Sequence, residues 1–251
     1  MTAEPAPHAL VIGASGGIGS RIAELLCSRG INVTGIDLCE SSLTDQPGYS
    51  HACLDMSSPE SVEQVRDLVR DLPLAYVINV AGGARPRELD KPGCWDFALD
   101  SLKETFDSNF KTSLASISIA RGLAPASAGR DLSVTLCSSI NAIGHYQYPI
   151  YSASKSAVES LVLTEAVPLG RQGIRINAIR LGTVVTSTSL RLHGGIGSGH
   201  YQPLLELTPL ARFVTAEEAA VAFVAAGVDM TGMTGTVITV DAGQSIPGSR
   251  P

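Results

Sequence analysis

Gly13-Ala14-Ser15-Gly16-Gly17-Ile18-Gly19 decides how this chain is read. It follows the apolar run Ala9-Leu10-Val11-Ile12, which has the length and composition of a buried strand. It opens a helical pattern over 18–29. Glycines at that spacing let a backbone turn tightly and come close to an anion. The helix that begins there adds unpaired N–H groups and a partial positive charge. Strand, glycine turn and helix N-terminus in this order form a pyrophosphate cradle. Gly13, Ser15, Gly17, Ile18 and Gly19 are therefore expected to contact a dinucleotide.

Working outward, short apolar runs alternate with longer helical patterns. Strands are predicted at 31–37, 50–54, 75–80, 132–137, 174–181 and 236–240. Helices are predicted from Ser58 onward and over 97–123, 151–169 and 215–228; Ser58 has the character of an N-cap. Pro168 is expected to kink or stop its helix. Strands that alternate with helices predict an α/β fold: a doubly wound, seven-stranded parallel sheet with helices on both faces. Neither a repeat nor a linker divides the chain, so 1–251 reads as one domain. The segment 183–212, with Gly194, Gly195, Gly197 and Gly199, is glycine-rich and poorly periodic. It is expected to be a flexible lid over the substrate.

With 44% hydrophobic and 17% charged residues, the 251-residue chain is long enough and apolar enough for a sizeable core. A net charge of −6 without a basic cluster argues against nucleic acid. The cysteines Cys27, Cys39, Cys53, Cys94 and Cys137 are spread out and lack a Cys-x-x-Cys pair. They read as reduced thiols rather than a disulfide framework or a zinc site. The histidines show no ligand spacing, and no metal is expected. The N-terminus is unlike a signal peptide, and no apolar run approaches the roughly 20 residues that span a bilayer. A soluble, cytoplasmic protein is expected.

Tyr151-Ser152-Ala153-Ser154-Lys155 carries the chemistry. Residues four apart on a helix share a face, so an ammonium lies near a phenol. A unit charge about 4 Å away at an effective dielectric of about 20 is worth roughly 4 kcal/mol. That is enough to bring a phenol of pKa about 10 to near 7, where it works as a general acid and base. Asp37 closes the second strand, where a cofactor ribose would lie. Its carboxylate would accept from both hydroxyls and repel a 2′-phosphate. No lysine or arginine occurs over 31–65. NAD is expected rather than NADP, with Asp55 and Met56 near the adenine.

Together these features resemble the short-chain dehydrogenase/reductase family, a Rossmann-like fold. Further matches are Asn79-Val80-Ala81-Gly82, the strand ending in Ser138, Gly173-Ile174-Arg175-Ile176-Asn177-Ala178 and Val240-Asp241-Ala242-Gly243. The resemblance covers nearly the whole chain. Departures are Ile12 before the first glycine, Val80 for a second asparagine, and Leu181-Gly182 for Pro-Gly. The resemblance implies Tyr151 as proton donor and acceptor, and Lys155 on the nicotinamide ribose. It implies Asn109 as backbone support for a water leading to Lys155, and a serine on the substrate oxygen. Ser138 and Ser139 compete for that last role. Ser138 is chosen, thirteen residues before Tyr151 and in phase with Val134 and Leu136. Asn79, Ala81, Gly82, Val184 and Thr186 complete the expected cofactor contacts, and the family implies a homotetramer.

The activity expected is NAD-dependent hydride transfer on a secondary alcohol or ketone. The rivals are a non-catalytic dinucleotide sensor and an epimerase or dehydratase on the same scaffold. Arg85, Arg87, His145, Tyr146, Tyr148, His200 and Tyr201 are candidates for the substrate pocket, with Trp95 as packing.

Overall fold

A computed structural model of the protein describes residues 5–84, 99–123, 131–145, 148–187, 189–190 and 201–246. In chain order its strands are β1 (His8–Ile12), β2 (Asn32–Asp37), β3 (Tyr49–Cys53), β4 (Leu74–Asn79), β5 (Leu132–Ser139), β6 (Ile174–Leu181), β7 (Val184–Val185), β8 (Val214–Thr215) and β9 (Thr236–Val240). Seven form a parallel sheet in the order β3-β2-β1-β4-β5-β6-β9, and β7 pairs with β8 in a separate ribbon. The helices are α1 (Gly17–Ser28), α2 (Pro59–Val69), α3 (Leu99–Phe106), α4 (Thr112–Leu123), α5 (Pro149–Gly170), α6 (Tyr201–Leu207) and α7 (Ala216–Val224).

All five residues of β1 are buried, because helices cover both faces of the sheet. The side chains of β1 divide by alternation. Leu10 and Ile12 join Val134, Leu136, Val158 and Val162 on one face; Ala9 and Val11 join Ile22, Leu26 and Phe223 on the other. Phe223 is fully enclosed, so truncation to alanine should cost about 3–5 kcal/mol. The chain winds from β1 out to β3 and then returns to β4 on the opposite side of β1. That reversal opens a crevice beyond the carboxyl ends of the central strands, where ligands bind in such sheets.

The stretch beginning at Gly173 is a structural clamp. The Arg175 guanidinium donates to Asp131, to the carbonyls of Ala226 and Gly227, and to those of Met230 and Met233. Asn177 donates to Met233 O and accepts from Thr236 N. These bonds satisfy carbonyls of the π-helical turn Ala225–Asp229 that continues α7, and fix β9 beside β6.

Two elements depart from their expected form. The helix predicted over 97–123 is divided by a π-helical turn, Asp107–Lys111. There Asn109 Nδ2 donates to Thr105 O and Ser113 Oγ donates to Asn109 O, so side chains compete with the backbone ladder. The strand predicted over 132–137 continues two residues further, to Ser139. Pro168 is accommodated in the last turn of α5, which ends at Gly170.

Candidate functional site

The glycine turn sits at the mouth of the crevice. Gly13 has φ +87°, and a Cβ there would lie 2.7 Å from Ala81 N, so only glycine permits the turn and its contact with the end of β4. Gly16 is the N-cap of α1 and supplies no side-chain cap. The first-turn N–H groups of α1 are thus left to a ligand. Thr186 packs against the turn at Gly17, and Val184 lies in the ribbon just before it. Asn79 ties the same mouth together. Its Oδ1 accepts from Ala81 N and its Nδ2 donates to Ser116 Oγ, both at 2.9 Å.

Asp37 ends β2 beside this turn. Its Oδ2 accepts from Ser15 N at 2.9 Å, and its Oδ1 accepts from Leu38 N at 2.7 Å and Cys39 N at 3.2 Å. A cavity of about 450 Å³ opens next to it. Ile36, Leu38, Leu54 and Met56 are among its apolar lining residues, together with Gly13, Ala81 and Gly82. Asp37, Asp55, Glu104 and Asp107 are its charged lining residues, and all four are acidic. A second cavity, about 820 Å³, runs from Ser15 and Gly17 past Thr186 to Thr215, under the start of the 183–212 segment.

At the end of β5, Lys155 is buried to 2% exposure on α5. Its Nζ lies 5.7 Å from the Tyr151 ring centroid and donates to Cys137 O at 2.8 Å. Burial pushes the Lys155 ammonium below its ordinary pKa. Tyr151 and Lys155 thus lie side by side on α5. Asn109 faces the same region from the π turn, which packs on α5. The Asn109 amide donates to Gly83 O at 3.0 Å, while its Oδ1 is buried without a hydrogen-bond partner. Gly82, at φ +114°, makes room: a Cβ there would lie 2.3 Å from Asn109 Oδ1.

The two candidate serines have different settings. Ser138 is 1% exposed, and its hydroxyl donates to Glu159 Oε1 at 2.6 Å. Glu159 lies one turn beyond Lys155 on α5 and pairs with Arg180 at 2.6 Å. Arg180 is the direct neighbour of Ser138 on β6, and the Glu159 hydrogen bond raises its pKa. Ser138 is thus drawn down into an ion pair between sheet and helix. Ser139 ends the strand half-buried and caps the following 3-10 turn, where its Oγ accepts from Asn141 N at 3.2 Å. The interval to Tyr151 pointed to Ser138; the partners across β6 and α5 leave Ser139 at the strand's mouth. The sequence signals for the ion pair are Arg180 inside an apolar strand and Glu159 in phase with Tyr151 and Lys155.

One pocket candidate, Tyr201, has another setting. Tyr201 is 1% exposed, packs on Phe213 with centroids 5.6 Å apart and donates to Ser189 O. It anchors α6 rather than facing a ligand. Gln244 holds the base of the 183–212 segment, accepting from Thr183 N at 2.8 Å. Arg85, Arg87, Cys94, Trp95, Tyr146, His193 and His200 lie outside the described residues. Cys27, Cys39, Cys53 and Cys137 are free thiols, and no helix among the described residues is long and apolar enough to cross a membrane.

A family model described as enoyl-(acyl carrier protein) reductase matches residues 13–245. L-xylulose reductase of Bos taurus is 27% identical over 246 residues, 94% of this chain and 95% of that protein. Carbonyl reductase [NADPH] 2 of Sus scrofa is 27% identical over 188 residues, 72% of each. The ligand-free aldohexose dehydrogenase of Thermoplasma acidophilum superposes with TM-score 0.83 at 24% identity, covering 98% of this chain and 97% of that one, and so shares the fold.

Proposed function

The chain belongs to the short-chain dehydrogenase/reductase family and is one of its oxidoreductases, and from that premise we propose that it is an NAD(H)-dependent enzyme acting on a secondary alcohol or its ketone. The observation that carries this reading is the buried Lys155 amine beside the Tyr151 ring, at the end of the strand that bears Ser139. The uncapped N-terminus of α1 and the cradle at Gly13 fit the pyrophosphate of a dinucleotide. Bound there, the nicotinamide supplies hydride exchange with a carbinol carbon. Tyr151 gives or takes the proton at the substrate oxygen. Lys155 holds the ribose hydroxyls and favours the phenolate. Ser139, rather than Ser138, donates to the same oxygen where negative charge develops.

The preference for NAD(H) rests on the acidic lining around Asp37 and on Leu38, which puts no cation where a 2′-phosphate would sit. A unit charge repelled at about 5 Å, with an effective dielectric of about 20, is worth roughly 3 kcal/mol. Asn109 supports the region of Lys155 from the π turn, and the 183–212 segment acts as the lid. Leu114 on α4, with Leu163 and Val167 on α5, is exposed and suits a homotetramer through those helices. A cytoplasmic location belongs to the same reading. The alternatives, a non-catalytic dinucleotide sensor and an epimerase or dehydratase, lack a supporting observation.

The test is NADH absorbance with a panel of alcohols and ketones, run beside the Tyr151→Phe variant. Turnover that survives this substitution refutes the mechanism. Tighter binding of NADPH than of NADH refutes the cofactor assignment.

A further inference from the structure

Away from the catalytic residues, the edge strand β3 carries Tyr49, His51 and Cys53 on one face, by alternation. The loop after β2 brings Glu40 over that face. The ligand atoms of Glu40, His51 and Cys53 all lie within 4.8 Å of one another. His51 is oriented from both sides. Tyr49 OH lies 2.9 Å from its Nδ1 and stacks on the ring, and Cys39 O lies 2.9 Å from its Nε2.

We propose that Glu40, His51 and Cys53 form a site for a thiolate-binding divalent cation of the zinc type, which pins the loop after β2 to β3. The donor set argues for that class. One thiolate, one imidazole and one carboxylate suit zinc; magnesium and calcium favour all-oxygen sites. Binding transfers the Cys53 proton to solvent, and the cation takes bonds from Cys53 Sγ, His51 Nε2 and a Glu40 oxygen. The two negative ligands balance its charge. The Nδ1–H tautomer of His51 then donates to the Tyr49 oxygen, the outer hydrogen bond that orients a metal-bound histidine. On binding, Nε2 gives up its hydrogen bond to the Cys39 carbonyl, and a water completes four-coordination. Cys39 O also accepts from Ser15 Oγ at 2.9 Å, so an occupied site braces the turn that carries Asp37 against the glycine loop. Sequence spacing missed the site because the third ligand comes from another element.

The test is zinc titration by calorimetry on the wild-type protein and on Cys53→Ser, Glu40→Gln and Cys39→Ser. Glu40, Cys39 and Cys53 are exposed, so the fold survives each change. The expected result is one zinc per chain, at least tenfold weaker in Cys53→Ser and Glu40→Gln and unchanged in Cys39→Ser. With Co²⁺ as probe, the wild type shows a thiolate-to-cobalt charge-transfer band that Cys53→Ser lacks. Equal affinity in all four proteins, loss through Cys39→Ser, or absence of that band overturns the proposal.

Discussion

The half of the crevice at β1–β3 and the half at β5–β6 are built by different means. The first is made by backbone: glycine torsions, free N–H groups at α1, and a carboxylate whose partners are main-chain N–H groups of Ser15, Leu38 and Cys39. The second is made by side chains from distant segments: Lys155 on a carbonyl of β5, and Ser138 on Glu159, which pairs with Arg180. A backbone cradle tolerates varied side chains and binds a constant cofactor. A constellation of buried polar side chains fixes one geometry, and each member is costly to remove.

The strongest attack on this contrast is Tyr151→Phe. It should lower kcat/KM on the order of 10³–10⁴-fold while NADH binding is retained, because the cradle does not use the phenol. Fluorescence titration and steady-state kinetics together check it.

Next come the two serines. Ser139→Ala should reduce kcat by about 10²–10³-fold, the effect of losing one donor to a developing oxyanion. Ser138→Ala should leave kcat within a few-fold and lower stability by about 1–3 kcal/mol, since Glu159 loses a donor in a buried setting. Kinetics paired with urea unfolding distinguishes them; the reverse pattern would restore Ser138 to the chemistry.

Asp37→Ala probes the backbone-built half. It should narrow the preference for NADH over NADPH by about tenfold to a hundredfold with kcat for NADH nearly unchanged, because it relieves repulsion without moving Tyr151. The ratio of the two kcat/KM values is the measure.

The smallest effect is on stability. Burial lowers the Lys155 pKa, so the folded state disfavours the proton that the unfolded chain holds up to about 10.4. The penalty is complete below the folded-state pKa and fades as pH rises from there toward the unfolded value. Lys155→Met should therefore raise Tm at neutral pH by about 2–4 °C per kcal/mol relieved, a gain that shrinks in alkali, while turnover is lost. Calorimetry at two pH values checks the sign.

Much of the fold was legible from local pattern. The 174–181 and 236–240 strands lie where the apolar runs place them. Ser58 caps α2 through Ser61 N as its position suggests. The π turn was not legible. It arises where the side chains of Asn109 and Ser113 divert hydrogen bonds, and an apolar repeat does not register that.

The sequence by itself determined the order of strands and helices, the glycine cradle and the pairing of Tyr151 with Lys155, because each is written in a pattern of neighbouring residues. Tertiary structure decided what neighbours could not. Ser138 turns to Glu159 and Arg180, 21 and 42 residues away along the chain, and His51 and Cys53 meet Glu40 only once β3 lies beside β2. Buried polar groups find partners through strand register and helix packing, and those are properties of the folded chain alone.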